Sequence, residues 1–418
     1  MLQAVAAISA LLLAAAILLT GNGLQSTLIS VRANIEGFPT ALIGMQMSAY
    51  FAGFVLGCRI NPSFIKSVGH IRTFVALASV ASASALAHSI IVDVTVWSVL
   101  RAITGFCFAG LFMIIESWIN ERATNSTRGR ILSVYRIVDL LALTVGNALL
   151  VIANPASFEL FALISILISL ALVPVALTRS PAPKPIQTAK LDIPRLYAVS
   201  PAAAIAAPMG ALANAAFWAM GPVYAQRLGH DSGTIAAFMS AAIIGAALLQ
   251  WPLGWLSDRV DRRKVMVGSS LAGALCAFAL AQFGASSTTL MLLFGGLVGA
   301  FIIPMFGLSA AHANDLSEPD SAVATNGGLL LLHGCGSVVG AAMGGVIISI
   351  AGPSSLFDYI GSVYVLLAAV CLYRILMRAP APDEKKAPFV PVPKSAAPTV
   401  FEIAQEEAEE GEPVPAAS

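Results

Sequence analysis

The chain has 418 residues, of which 58% are hydrophobic and only 11% are charged. A soluble domain carries about 25% charged residues, so the composition excludes an ordinary soluble globular protein and favours one whose solvent is lipid. The formal net charge of +1 leaves no basic surplus to attract a polyanion, which excludes a nucleic-acid-binding protein. The five cysteines lie in or beside apolar runs without a C-x-x-C pair, so we expect neither a disulfide nor a bound metal.

Twelve apolar stretches are long enough to cross a bilayer, which takes about 20 helical residues. The first has no Lys or Arg before it, so we interpret it as a span rather than a cleaved signal peptide. The predicted spans are 4–24, 38–58, 73–92, 96–118, 131–152, 159–178, 197–222, 233–256, 264–284, 288–311, 323–350 and 355–376. This pattern predicts an all-α membrane protein with twelve transmembrane helices.

Two segments are too polar to cross a membrane. The stretch RSPAPKPIQTAKLDIPR separates span 6 from span 7 and has the proline-rich composition of a linker. The end of the chain is rich in Pro, Ala and Glu, with too little apolar material to offset the entropy of ordering. We therefore predict an N-terminal six-helix bundle over 1–178, a linker over 179–196, a C-terminal six-helix bundle over 197–377 and a disordered tail over 378–418.

Basic residues are concentrated on one side of this topology. Most of the 23 Lys and Arg residues fall in the loops after spans 2, 4 and 8, in the linker and at the C-terminal end. Loops rich in Lys and Arg stay in the cytoplasm. We therefore predict a multi-pass protein of the bacterial inner (plasma) membrane, with both termini and the linker in the cytoplasm.

The two halves of the chain resemble each other at a constant offset of 192 positions. Five residues of the first half recur at that offset in the second half. The pairs are Gly37 and Gly229, Met47 and Met239, Ser48 and Ser240, Ala49 and Ala241, and Gly53 and Gly245. Because each half holds an even number of spans, the two copies share one orientation, as in transporters built from parallel repeats.

A cluster of acidic and basic residues follows span 8. It begins at Gly254 and continues through Asp258, Arg259, Arg262 and Arg263. We interpret it as a tight loop and a conformational latch, in which the acid could accept hydrogen bonds from a helix N-terminus. The arginines could pair with acids on neighbouring spans or with anionic lipid. The alternative is an ordinary basic loop that only sets orientation.

The spacing of this cluster resembles the signature loop of the major facilitator superfamily, although that loop has glycine where this chain has Asp261. The strings GHIR, ESWINERATNSTRGRILSVY, AHAND and GLLLLHGCGS look like the YcaD-like branch of the superfamily. The resemblance implies two six-helix bundles, which is the major facilitator fold, and a secondary transporter of small solutes. In the first half Asn61 stands where the family has an acid, so an acid-based latch is not expected there.

Arg101 lies inside an apolar stretch of span 4, where a charge is costly. The resemblance implies a cavity arginine that handles a substrate anion or a coupling proton, and the alternative is an arginine that snorkels to the outer interface. By analogy with the family, spans 1, 4, 7 and 10 line the cavity, which adds four polar candidates for the substrate site. They are Asn22, Gln25, Asn214 and Trp218. Hydrogen bonding between helices is the alternative role for each.

Arg136 and Asp139 are three positions apart in span 5, so they share a helix face and can pair. Asp139 is the first candidate for a protonatable coupling residue, with Arg136 as its partner, and a purely structural pair is the alternative. Glu116 ends span 4 near the basic residues Arg59 and Arg72. We assign it to the latch rather than to coupling.

The sequence contains no G-x-x-x-x-G-K-[ST], G-x-S-x-G or H-E-x-x-H motif, so we expect neither an enzyme nor a cofactor. We predict a monomer that moves a small-molecule substrate across the lipid bilayer by alternating access. We expect coupling to protons and leave the direction of transport open. The alternative is a non-transporting membrane sensor or scaffold that uses the acidic tail.

Overall fold

The computed structural model describes residues 2–122, 128–177, 192–318 and 321–378, together with Lys386 and Phe389. Nearly all of these residues are helical. Within these ranges, 12 helical segments are long and apolar enough to cross a membrane, which confirms the predicted all-helical membrane fold. Most of the predicted linker and tail lies outside the described residues.

The helices are Leu2–Ile35, Thr40–Val68, His70–Ile90, Val94–Arg122, Arg128–Ala148, Glu159–Leu170, Leu172–Ala176, Ile193–Val199, Pro201–Arg227, Ser232–Arg259, Arg262–Phe283, Thr288–Ile302, Met305–Asn314, Ala322–Ala351 and Ser355–Met377. The 3₁₀ turn Leu149–Val151 extends span 5. Spans 6 and 10 each consist of two consecutive helices, and Ile193–Val199 is a short helix before span 7. We call the end of the molecule that carries this short helix the linker end, and the opposite end the far end.

Several helices continue beyond the ends that hydropathy predicts, and spans 2 and 8 bear on the candidate site. The prediction ends span 2 at residue 58, but the helix continues to Val68 and includes Arg59 and Lys66. Span 8 likewise continues through Asp258 to Arg259, so the predicted tight loop shrinks to the two residues before the next helix. The predicted helix ends were wrong because hydropathy detects only the residues that contact lipid. Backbone hydrogen bonds continue the helix beyond those residues into water.

Proline has different effects in different spans. Pro208 and Pro252 lie inside continuous helices, whereas Pro304 stands between the two helices of span 10. Proline lacks an N–H group and its ring crowds the carbonyl group four residues earlier. Packing against neighbouring helices decides whether the backbone groups that it frees are satisfied within one helix or at a break.

The sequence repeat is also a structural repeat. Gly37 and Gly229 both have positive φ, 73° and 86°, in the connections that follow spans 1 and 7. Gly53 lets span 2 approach span 4 so closely that an added Cβ atom would lie 1.9 Å from a carbonyl oxygen of span 4. Gly245 does the same for spans 8 and 10, where the distance is 2.0 Å. Glycines at one offset thus set equivalent helix crossings in both halves.

The two halves contact each other mainly through spans 1 and 7, 2 and 11, and 5 and 8. Ser48 of span 2 donates a hydrogen bond of 2.5 Å to the carbonyl oxygen of Val338 in span 11. Arg136 of span 5 donates to the side chain of Gln250 in span 8. Lipid provides no hydrophobic drive for helices to associate, so close packing and such hydrogen bonds hold the halves together.

Candidate functional site

Arg101 is fully buried in span 4. Its guanidinium carbon lies 4.4 Å from the ring centroid of Tyr50 in span 2, and its Nη2 atom lies 3.4 Å from the sulfur of Met47. A cation over an aromatic face gains about 0.5–2 kcal/mol. The side chain therefore turns into the helix bundle and does not snorkel to an interface.

The guanidinium of Arg101 has no anionic partner among the described residues. Its Nε and Nη1 atoms lack a hydrogen-bond acceptor, and the thioether near Nη2 is only a weak acceptor. Spans 1, 2, 7, 10 and 11 contain no Asp or Glu. Glu116, in the same helix as Arg101, lies about 22 Å further along it. A buried charge without a partner is costly in a membrane, so this arginine suits an anion that the surrounding spans do not supply.

Tyr50 joins Arg101 to span 1. Its hydroxyl group donates a long hydrogen bond of 3.5 Å to the Oδ1 atom of Asn22, a residue that is only partly buried. Gln46 lies one turn before Tyr50 on the same helix face, and its buried amide has no hydrogen-bond partner in the part of the chain that the structure describes. The same holds for Gln25, three positions after Asn22. We call Arg101, Tyr50, Asn22 and Gln46 the Arg101 cluster.

The second half contributes Asn214 and Trp218 from span 7. Asn214 has the position in span 7 that Asn22 has in span 1, because the repeat offset separates the two. Asn214 is buried, and Trp218 is partly buried with its ring centroid 5.9 Å from that of Phe217. The two halves therefore carry one amide each at equivalent positions, whereas the arginine belongs to the first half.

Arg136 and Asp139 form a buried ion pair in span 5. The Nη1 atom of Arg136 lies 2.5 Å from the Oδ2 atom of Asp139, and their side chains are 7% and 5% exposed. Arg136 also donates from Nε and Nη2 to the Oε1 atom of Gln250 in span 8, at 3.3 and 3.2 Å. The pair thus supports a contact between the two halves, which the three-residue spacing did not indicate.

The cluster after span 8 is organised around Arg262. This residue donates from Nε and Nη2 to the two carboxylate oxygens of Asp315, at 2.6 and 3.2 Å. It also donates from Nη1 to Ser257 and Asp258, both at 2.9 Å. The side chains of Arg262 and Asp315 are each 1% exposed. This pair joins span 9 to the end of span 10, and sequence reasoning had not connected Asp315 to the cluster.

Asp261, which replaces the family's glycine, caps the first turn of span 9. Its carboxylate accepts the backbone N–H of Arg263 at 3.0 Å and forms an ion pair of 2.7 Å with that side chain. Burial raises the pKa of Asp261, but the hydrogen bonds and the charge of Arg263 outweigh burial and leave this pKa below its ordinary value. Arg263 also donates to the carbonyl oxygens of Arg374 and Arg378, at 3.0 and 2.9 Å, which ties span 9 to the end of span 12.

The remaining members of the cluster have separate surroundings. Arg259 is exposed, and its guanidinium carbon lies 3.8 Å from the ring centroid of Trp255. Gly254 lies inside the helix of span 8, beside the ring of Phe389. Asp258 accepts the backbone N–H of Phe389 at 3.0 Å. The cluster therefore contacts the C-terminal tail as well as spans 9 and 10.

The equivalent region of the first half is built differently. Asn61 donates from Nδ2 to a carbonyl oxygen of span 4 at 3.0 Å, which is a contact within the first half. Glu116 is 1% exposed and accepts a hydrogen bond of 3.5 Å from the hydroxyl group of Tyr135 in span 5. Glu116 thus lies where spans 4 and 5 meet, whereas Arg59 belongs to span 2 and Arg72 to span 3.

The far end is closed by hydrogen bonds between the halves. Asn34 donates to the Oε1 atom of Gln226 at 3.0 Å. Arg227 donates to the Oδ1 atom of Asn34 at 3.2 Å and to the hydroxyl group of Thr40, and Ser30 donates to a carbonyl oxygen of span 7 at 2.8 Å. The predictions from sequence did not include this network. A signal was present, because Asn34 and Gln226 are themselves separated by 192 positions.

Comparison with known proteins agrees with this architecture. The family model described as Major Facilitator Superfamily matches residues 203–407. An MFS-type transporter of Yersinia pestis is 23% identical over 369 residues, which cover 88% of this chain and 94% of that protein. The MFS-type transporter YcaD of Escherichia fergusonii is 23% identical over 356 residues, which cover 84% of this chain and 92% of that protein.

Two crystal structures of the nucleoside transporter NupG, one of them of a mutant, share the fold. Their TM-scores are 0.73 and 0.75 at 15% sequence identity, and the match covers 88% of this chain and 99% of theirs. These relatives are transporters and not enzymes. The chain therefore has the major facilitator fold, matches the Major Facilitator Superfamily over its second half, and resembles transporters of the YcaD-like branch along most of its length.

Proposed function

We propose that the protein transports a small solute that carries a carboxylate or phosphate group, by alternating access and with coupling to protons. The observation that carries the proposal is the Arg101 cluster, a buried cation with two guanidinium nitrogens that lack acceptors among the described residues. A planar guanidinium matches the geometry of carboxylate and phosphate oxygens. Tyr50 and Asn22 extend the same surface with a ring and an amide for the rest of the solute.

Two sets of contacts between the halves support alternating access. At the far end, Asn34, Gln226 and Arg227 hold spans 1 and 7 together. Nearer the linker end, Arg136 and Gln250 hold spans 5 and 8 together. If the halves rock as bodies, opening one end breaks its set of contacts and leaves the other set in place. The substrate then gains access from one side at a time.

Asp139 provides a route for proton coupling. Protonation removes the negative charge that pairs with Arg136 at 2.5 Å. Arg136 also donates to Gln250 across the boundary between the halves, so a change at the ion pair alters the contact that holds the linker end. Binding of a proton at Asp139 would in this way favour one of the two arrangements.

The residues of the latch would keep the second half rigid while it moves. Arg262 and Asp315 join spans 9 and 10, and Arg263 joins span 9 to the end of span 12. Rocking needs bodies that do not deform, so these contacts would transmit motion from one span to the next. Glu116 would have the corresponding place in the first half, where it contacts Tyr135.

We also propose that the linker end faces the cytoplasm of a bacterial cell, and that the protein acts in the inner membrane as a monomer. The distribution of Lys and Arg supports the orientation. Reporter fusions placed within residues 179–196 test it, and an external location of the linker would contradict it. The mass of the purified protein in detergent tests the monomer.

Solute-driven proton movement in proteoliposomes that contain a pH-sensitive dye tests the proposed function. The solutes are carboxylates and phosphates, with neutral amides and alcohols of similar size for comparison. We expect an oxyanion solute to move protons with the wild type. Arg101→Gln should abolish solute transport and therefore the dye signal. Asp139→Asn should also abolish the dye signal, while exchange of solute across the membrane continues in that variant.

The matched control is Arg32→Gln, which removes an arginine at the far end that pairs with Glu36 at 2.6 Å. This variant should still transport oxyanions. Equal transport of the oxyanion solutes by the wild type and by Arg101→Gln would contradict the role of Arg101. Absence of solute-dependent proton movement for every class would contradict proton coupling.

A further inference from the structure

Phe389, from the chain beyond span 12, occupies a slot at the linker end of the second half. The slot has one glycine in span 8 and one in span 10. A Cβ atom added at Gly254 would lie 2.2 Å from the Cδ1 atom of the Phe389 ring, and one added at Gly307 would lie 3.2 Å from its Cζ atom. The ring packs against the hydrophobic core. The missing side chains at these two glycines thus create the space that the ring fills.

Two polar contacts hold the same segment. The backbone N–H of Phe389 donates to both carboxylate oxygens of Asp258, at 3.0 and 3.1 Å. The ammonium group of Lys386 donates to the carbonyl oxygen of Val260 at 3.3 Å. Val260 directly follows the helix of span 8, and the carbonyl groups at a helix C-terminus favour a cation. Asp258 and the end of span 8 therefore recognise two positions of the tail that are three residues apart.

We infer that spans 8 and 10 form a peptide-binding site at the linker end, and that its ligand is the Lys-x-x-Phe segment of the protein's own tail. The site recognises three chemical features: an ammonium group, a backbone N–H group and an aromatic ring. Each feature has its own partner, respectively Val260, Asp258 and the pair of glycines.

The peptide-binding site adjoins the contact between the halves. Gly254 is one turn from Gln250 on the same face of span 8, and Gln250 accepts hydrogen bonds from Arg136 of the first half. Residues beside Gly307 pack in one cluster with Leu132 of span 5. A docked tail therefore stabilises this arrangement of the linker end, in which the far end is closed. This restraint on rocking rests on the proposed function, whereas the docking itself does not.

Hydrogen exchange of the full-length protein tests the docking. The amide of Phe389 should exchange at least about tenfold more slowly than that of Phe401, an aromatic residue of the same tail, because its N–H is bonded to Asp258. Gly254→Ala fills the slot without changing a charge, and alanine suits a helix interior. Gly254→Ala should therefore abolish the difference in exchange rate between the amides of Phe389 and Phe401. Equal exchange of Phe389 and Phe401 in the wild type, or a difference that survives in Gly254→Ala, would overturn the inference.

Spin labels at the linker end test the restraint on rocking. With labels at Val68 and Leu256, Phe389→Ala should shift the population towards longer distances, and the matched variant Phe401→Ala should leave it unchanged. Slow exchange of the Phe389 amide combined with an unchanged distance in Phe389→Ala would overturn the restraint and keep the peptide site. Neither measurement needs a substrate, so a failure of the transport assay would affect only the proposed function.

Discussion

Replacing Arg262 with glutamine should destabilise the protein much more than the same replacement at Arg259 in the same cluster. Arg262 is 1% exposed and donates two hydrogen bonds to Asp315, which is also 1% exposed. Removing the arginine leaves that carboxylate buried without this cation, and breaking such a pair costs about 3–5 kcal/mol. Arg259 is exposed and stacks on Trp255, a contact worth about 0.5–1 kcal/mol at an exposed site.

Thermal unfolding of the purified protein in detergent measures the difference. Arg262→Gln should have a much lower unfolding midpoint than Arg259→Gln, whose midpoint should lie near that of the wild type. A double variant, Arg262→Met with Asp315→Leu, replaces both charges with apolar groups and should recover most of the loss, because it also removes the desolvation cost of the pair. Equal midpoints for the two single variants would refute the reasoning. So would a double variant as unstable as Arg262→Gln.

Four further predictions concern other parts of the molecule. Gly53→Ala should lower the free energy of unfolding by about 1–3 kcal/mol, because the added Cβ atom would lie 1.9 Å from a carbonyl oxygen. Gly268→Ala, whose added Cβ atom would have no described atom within 4 Å apart from its own helix backbone, should raise it by up to about 1 kcal/mol, and comparable losses in both variants would contradict this. Arg101→Gln should raise the unfolding midpoint of the solute-free protein, because it removes a buried charge that has no anionic partner among the described residues; a lower midpoint would indicate a structural role. Arg227→Gln removes two hydrogen bonds at the far end and should lengthen the distance between spin labels on spans 1 and 7, so an unchanged distance would count against the closure. The lowered pKa of Asp261 means that its contribution to stability is fully present above its ordinary pKa of about 3.9 and is lost as the pH falls through the lowered pKa. The midpoint difference between the wild type and Asp261→Asn should therefore shrink on acidification, and a difference that grows would show the opposite sign.

Hydropathy was sufficient for the number and type of the spans, because lipid imposes a length and a composition on any helix that crosses it. It could not place helix ends such as Val68, since water tolerates a helix that carries Arg59 and Lys66. It also could not distinguish Pro304, which separates two helices, from Pro208, which lies inside one. That difference depends on neighbouring helices, which are distant in sequence.

In the candidate site, too, features that depend on neighbouring residues could be predicted from the sequence, whereas contacts between distant residues could not. An isolated charge in an apolar run was enough to single out Arg101, and a three-residue spacing was enough to pair Arg136 with Asp139. Asp315 was missed as a partner because the contact with Arg262 joins two spans across 53 positions. Docking of Phe389 was missed because the composition of the tail predicts only disorder.

The most direct test of alternating access is to follow both ends of the molecule in the same liposome samples. Pulsed spin-label measurements would use Ile35 and His230 at the far end, and Val68 and Leu256 at the linker end, after replacement of the five native cysteines. As pH or solute is varied, the account predicts that the far-end distance lengthens when the linker-end distance shortens. Both distances lengthening together, or neither changing under any condition, would contradict it.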